Sequence, residues 1–117
     1  MNILIADDDR LILFALSTRL HRDGYAVTTF RSGEELVAEL GENPHATDAV
    51  ITDFSMGIDK LNGLDVLKRI RDILPDMPVI VHSASLEIRE EVGAAGAVFV
   101  EKNDYAALIE ALSRIKT

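Results

Sequence analysis

Apolar positions along the chain fall into two alternating kinds of run. Short, β-rich runs occupy Asn2–Ala6, Ala26–Phe30, Ala49–Thr52, Val79–His82 and Ala97–Val100. They are continuous rather than strictly alternating, as expected of strands covered on both faces. Helical spacing lies between them. Ile12, Leu16 and Leu20 recur every fourth residue, and Gly24 follows as a stop. Ser32-Gly33-Glu34-Glu35 reads as a capping box for a helix ending near Leu40-Gly41. Leu64, Leu67, Ile70 and Leu74 form a third stripe, closed by Pro75. Leu86 to Gly93 supports only a short fourth helix, and Asp104 can cap a fifth that carries Tyr105, Leu108, Ile109, Leu112 and Ile115.

This alternation predicts an α/β fold: a single (βα)5 doubly wound parallel sheet with right-handed crossovers. The expected strand order is 2-1-3-4-5, the flavodoxin-like arrangement. No shift in composition divides the chain, and 117 residues suit one core. Residues 1–117 therefore read as one domain, with no output domain in this chain.

Charge and composition narrow the function. Twenty acidic against 12 basic side chains give a net charge of −8, which argues against direct nucleic-acid binding. Four phenylalanines and two tyrosines leave few platforms for stacking bases. The absence of cysteine excludes disulfides, zinc–thiolate sites and thiol nucleophiles together. No apolar run is long enough for a membrane span or a signal peptide, so a cytoplasmic protein is expected.

In such a sheet ligands bind at the C-terminal strand ends. After the first strand come Asp7, Asp8 and Asp9; after the third, Asp53; after the fourth, Ser83; after the fifth, Lys102. These strands are contiguous in the expected order, so the residues converge on one cleft. Clustered carboxylates raise one another's pKa unless a counter-charge is present. An oxygen-only set suits Mg²⁺. Lys102 and Ser83 add groups able to hold phosphoryl oxygens, and phosphoryl transfer needs mainly positioning and charge neutralisation. Asp53, alone at a central strand end, is the candidate nucleophile.

Each residue also has an ordinary reading. The Asp triplet can be a solvated turn with Asp9 as N-cap, and Asp53 can open an Asx-turn. Ser83 can be a turn hydroxyl and Lys102 a surface lysine. His21, His45 and His82 share no metal-ligand spacing. The weight lies in the convergence.

The same residues resemble the receiver domain of two-component response regulators, over essentially the whole chain. Ile-Leu-Ile-Ala-Asp-Asp-Asp (3–9) is similar to the family's opening strand and acidic pair. That likeness implies direct Mg²⁺ ligation by Asp8 and ligation through water by Asp7. Ala-Val-Ile-Thr-Asp (49–53) resembles the phosphoacceptor strand, which implies Asp53 as acceptor and the backbone carbonyl of Ser55 as a metal ligand. Pro-Val-Ile-Val-His-Ser-Ala (78–84) implies Ser83 as the switch hydroxyl. Phe-Val-Glu-Lys (99–102) implies Phe99 as the switch aromatic and Lys102 as the phosphate-binding lysine.

The chain departs from the family at several points. Gly57 follows Met56 where proline is usual, and the loop from Asp53 to Gly63 is longer. The stretch from Ser83 to Lys102 is shorter, which clips the fourth helix. Asn103 replaces the proline after the lysine, and a trans Lys102–Asn103 bond is expected, since cis before a non-proline residue costs ~2.5–4 kcal/mol.

The resemblance implies a switch that accepts a phosphoryl group from a histidine kinase or histidine phosphotransfer protein onto Asp53. It would catalyse its own phosphorylation and slow dephosphorylation without being a turnover enzyme. Its downstream target would be a protein or an output domain outside this chain, and a homodimer is compatible. A receiver-like interaction module that does not use phosphate is the alternative. An aspartate-nucleophile phosphohydrolase lacks room for a cap, and a flavin site would set three aspartates against a phosphate.

Overall fold

The computed structural model describes residues 1–115; Lys116 and Thr117, the last two residues of the expected 1–117 domain, lie outside the described residues. Strands and helices alternate in the order β1 (Asn2–Ala6), α1 (Arg10–Arg22), β2 (Ala26–Phe30), α2 (Gly33–Glu42), β3 (Ala49–Asp53), α3 (Gly63–Ile73), β4 (Val79–Ser83), α4 (Arg89–Ala94), β5 (Val98–Glu101) and α5 (Tyr105–Ser113). The five strands form one parallel sheet in the order β2-β1-β3-β4-β5, as expected from the sequence.

Side chains on a strand point alternately to its two faces, and the apolar positions divide accordingly. Ile3, Ile5, Ile51, Ile80 and Val100 bury against Leu13, Leu16 and Leu20 of α1 and Leu108 and Leu112 of α5. Leu4, Ala6, Val50, Val79 and Val81 bury on the other face, with Leu36 and Leu40 of α2, Leu67 and Ile70 of α3 and Val92 of α4. Every residue of β3 and β4 is buried, because both central strands are covered by both helical layers.

Element ends follow local chemistry. Asp9 caps α1 by accepting the Leu11 N–H at 2.9 Å, and Gly24, at φ +93, terminates it in the left-handed region. Ser32 caps α2 by accepting the Glu35 N–H. The expected capping box is only half formed, because the Ser32 hydroxyl donates to the Glu35 carboxylate and takes up its reach. The reciprocal box occurs instead at Asn62 and Asp65, at the start of α3.

Three strands differ from expectation in their bounds. β3 and β4 each continue one residue further, into Asp53 and Ser83, and β5 begins at Val98 and reaches Glu101. Backbone pairing ignores side-chain polarity, and Asp53 pairs with His82 while Ser83 pairs with Glu101. The fourth helix is short, as expected: six residues after a 3₁₀ turn at Leu86–Ile88. No helix among the described residues is long and apolar enough to cross a membrane.

Candidate functional site

The tips of β1, β3 and β5 bring Asp7, Asp53 and Lys102 into direct contact. The Lys102 ammonium lies 3.2 Å from Asp7 and 3.1 Å from Asp53, bridging the two carboxylates. Asp7 and Asp53 are buried, at 1% and 6% exposure, so neither charge is neutralised by water. The Lys102 N–H bonds the Ser83 carbonyl at 3.0 Å, which fixes the lysine's backbone to the end of β4.

The acidic triplet divides into three roles. Asp9 caps α1. Asp7 is buried and accepts the Asp9 N–H at 2.9 Å. Asp8 is exposed, and its carboxylate comes within 4.8 Å of those of Asp7 and Asp53. This is an all-oxygen donor set with one open side, which fits a hard cation such as Mg²⁺ that keeps much of its water.

Burial dominates the electrostatics. It pushes Asp53 up from the usual carboxylate range to about 6, reinforced by the Asp7 charge and opposed by Lys102. Asp7 is raised for the same reason. Burial draws Lys102 down, but the Asp53 and Asp7 charges outweigh it and hold the ammonium above its ordinary value. Opposite charge in this cleft is therefore in demand.

The other expected residues are near the cleft but not joined to it. Ser83 is buried at the end of β4, and its hydroxyl accepts the Ser85 N–H at 3.1 Å. Phe99 packs against the α3–α4 layer, with the Arg89 guanidinium 5.4 Å from its ring centre. Ser55 lies exposed in the loop two residues beyond Asp53.

That loop explains one departure from the family. Gly57 has φ +115, a conformation closed to proline, whose ring fixes φ near −65°. Asn103 likewise has φ +74, in the left-handed region that asparagine tolerates. No cis peptide occurs among the described residues, so the Lys102–Asn103 bond is trans, as expected. Gly63 is required for a different reason. A Cβ there would stand 2.8 Å from the Asp53 carbonyl, so only glycine lets α3 start against the backbone of β3.

Sequence reasoning passed over His82. It is Asp53's ladder partner on β4 and shares a face with Ile80, towards α1 and α5. Burial, helped by the Lys102 charge, lowers its pKa to about 4 and keeps the ring neutral. Counting alternation from Ile80 would have found it.

The comparisons agree with this geometry. A family model for the response regulator receiver domain matches residues 3–113. The transcriptional regulatory protein GlrR of Escherichia coli is 37% identical over 93 residues, 80% of this chain and 20% of the relative. The response regulator MprA of Mycobacterium sp. strain KMS is 33% identical over 122 aligned positions, 99% of this chain and 49% of the relative. The chain thus spans half or less of the length of these relatives.

Among solved structures, a response regulator receiver domain protein from Clostridium thermocellum superposes with a TM-score of 0.84 at 32% identity, covering 97% of this chain and 94% of that one. The response regulator TrrA of Thermotoga maritima, in complex with Mg²⁺ and BeF, gives 0.83 at 28% identity, covering 98% of each chain. The strand order, the acidic cleft with its lysine and these likenesses lead to one conclusion: the chain belongs to the response regulator receiver domain family.

Proposed function

We propose that the chain is a phosphorylation-dependent switch in which Asp53 accepts a phosphoryl group from a histidine kinase or histidine phosphotransfer protein. The observation that carries the reading is the Lys102 bridge between Asp7 and Asp53, held at the tip of a parallel sheet. With its pKa at about 6, Asp53 is mainly ionised at neutral pH and so nucleophilic. A carboxylate oxygen attacks phosphorus, the donor's P–N bond breaks, and the donor imidazole leaves with the bonding pair. Lys102 gives up one carboxylate oxygen and holds a phosphoryl oxygen in its place. The Ser83 hydroxyl keeps its proton free to donate to a second, since its oxygen serves Ser85 as acceptor.

Asp7, Asp8 and Asp53 would hold Mg²⁺, joined by the Ser55 carbonyl as the family resemblance implies. Bound there, the cation would neutralise charge on the transferring group. The phosphorylated surface would act on a protein target or an output domain outside this chain, in the cytoplasm.

Intact mass after treatment with acetyl phosphate and Mg²⁺ tests the reading. Wild type should gain one phosphoryl group, and Asp53→Asn or added EDTA should abolish the gain. An unchanged mass shift in Asp53→Asn overturns the assignment of the acceptor.

A further inference from the structure

Behind Lys102, on the α1–α5 face of the sheet, lies a cavity of about 210 Å³. Its wall is apolar along α1, from Ile12, Ala15 and Leu16, and ends at Tyr105 of α5. His82 of β4 also lines it. That side chain is 95% buried and makes no hydrogen bond among the described residues, yet no sealed polar atom is left without a partner. The ring nitrogens are therefore not fully sealed, and the residue lines this cavity.

The charge of the lining is one-sided. Arg19, Lys102 and Asn103 contribute donors, and no acidic side chain lines the space. Lys102 is turned to Asp7 and Asp53. Arg19 is not so engaged: its guanidinium carbon sits over the Tyr105 ring, 3.6 Å from the centre, and it forms no ion pair among the described residues. A cation–π contact consumes no N–H group, so the guanidinium donors stay available for a planar carboxylate. Tyr105 cannot compete for those donors, since its hydroxyl donates to Asp23 at 2.8 Å.

We propose that this cavity is a binding site for a small aromatic carboxylate, with the ring against Ile12, Ala15 and Leu16 and the carboxylate between Arg19 and the His82 ring. Size agrees, since a cavity of about 150 Å³ holds an unsubstituted benzene ring. The site is separate from the acceptor cleft and shares only the Lys102 side chain with it. It therefore stands whether or not Asp53 is phosphorylated.

Sodium benzoate is the probe, titrated into ¹⁵N-labelled protein at fixed ionic strength, with sodium acetate and benzyl alcohol as half-ligands. Benzoate should give saturable shifts at Ala15, Leu16, His82 and Asn103. Each half-ligand should bind at least about tenfold more weakly, because each lacks either the ring or the charge-assisted hydrogen bond. Ala15→Phe, which plugs the mouth, and Arg19→Gln, which removes the anion donor, should each weaken benzoate at least about tenfold. Both positions are exposed, and the dispersion of each variant's ¹⁵N spectrum reports that it is folded. Shifts that fail to saturate, that acetate reproduces, or that persist in Ala15→Phe overturn the proposal. The three wild-type titrations decide it even if a variant does not fold.

Discussion

His82 and Ser83 are neighbours in sequence, yet they face opposite layers of the molecule. His82 lies with Asp7, Asp53 and Lys102 on the α1–α5 side, where buried charge is held by ion pairs. Ser83 follows Val81 onto the α3–α4 side, where Phe99 and the six-residue α4 are held by packing, one hydroxyl contact and two arginines, Arg89 over the Phe99 ring and Arg71 at the Gly96 carbonyl. Changes on the first side should cost much and propagate little. Changes on the second should cost little and propagate far, because a short helix with few anchors has alternatives of similar energy.

The strongest way to break this contrast is Lys102→Ala. Removing the ammonium leaves two buried carboxylates facing each other, and losing one partner of a buried pair costs roughly 3 kcal/mol or more. Urea unfolding at neutral pH should show that loss, and labelling by acetyl phosphate should slow by roughly a hundredfold, as when a positioned charge is lost from a transition state. Wild-type stability in this variant would mean that the ion pairs do not hold the cleft together.

A second effect comes from opposed titrations at Asp53 and its ladder partner. Asp53 is raised to about 6 by burial and then by Asp7, so its stabilising contribution is full below 3.8 and lost as pH rises through about 6. His82 is lowered to about 4 by burial and then by Lys102, so its contribution is full above 6.5 and lost as pH falls through about 4. The two slopes oppose each other over the same window. Asp53→Asn removes the falling one. Relative to wild type, its stability should climb from pH 4 to 6.5 by something on the order of 2 kcal/mol. Parallel profiles from urea titrations across that range would show that Asp53 carries no buried-charge penalty.

These two sides were not equally visible in the sequence. The sheet, its order and the residues at its tips were legible, because continuous apolar runs report burial on both faces and strand ends report the cleft. The same continuity hid which face each residue takes, so His82 passed as an ordinary strand end. Asp53 and Ser83 ended the apolar runs, and the strands looked one residue short. Contacts distant in sequence were invisible. Arg71 of α3 donates to the carbonyls of Met77 and Gly96, tying two turns together from 6 and 25 residues away. The Asn62–Asp65 box was obscured by the loop before it, whose left-handed Gly57 and Asp59 no local pattern announces.

Asn103 sharpens the comparison from the edge of the charged side. Its φ of +74 is closed to proline, so restoring the residue usual in the family should harm this chain. Asn103→Pro should lose somewhat more than about 1 kcal/mol, the penalty expected where the native backbone excludes the new ring. Asn103→Gly should stay within a few tenths of a kcal/mol of wild type by the same conformational argument. Thermal melts of the two variants decide it, and equal melting temperatures would show that this turn has no fixed conformation.

Ser83→Ala should have a small effect on stability and the widest on switching. Its hydroxyl accepts one partly buried N–H, from Ser85, so the loss should be near 1 kcal/mol. A phosphoryl group on Asp53 brings oxygens that need donors, and the Ser83 hydroxyl is at the adjacent strand tip with its proton uncommitted. Turning towards the phosphate breaks the Ser85 contact and frees space beside Phe99. That ring sits on β5, opposite Val81 in the sheet, and is covered from outside by the Arg89 guanidinium. An inward rotation of Phe99 would uncover Arg89 and loosen α4, whose start has no side-chain cap. Phosphate need shift this balance by only a few kcal/mol to change the dominant state. Chemical-shift mapping with beryllofluoride should then carry changes in wild type from the cleft to Phe99, Arg89 and α4. In Ser83→Ala the changes should stop at the tips of β1, β3 and β5, although beryllofluoride still binds. An equal spread in the two proteins would mean that the signal leaves the cleft by another route, with Lys102 and the α1–α5 side as the remaining path.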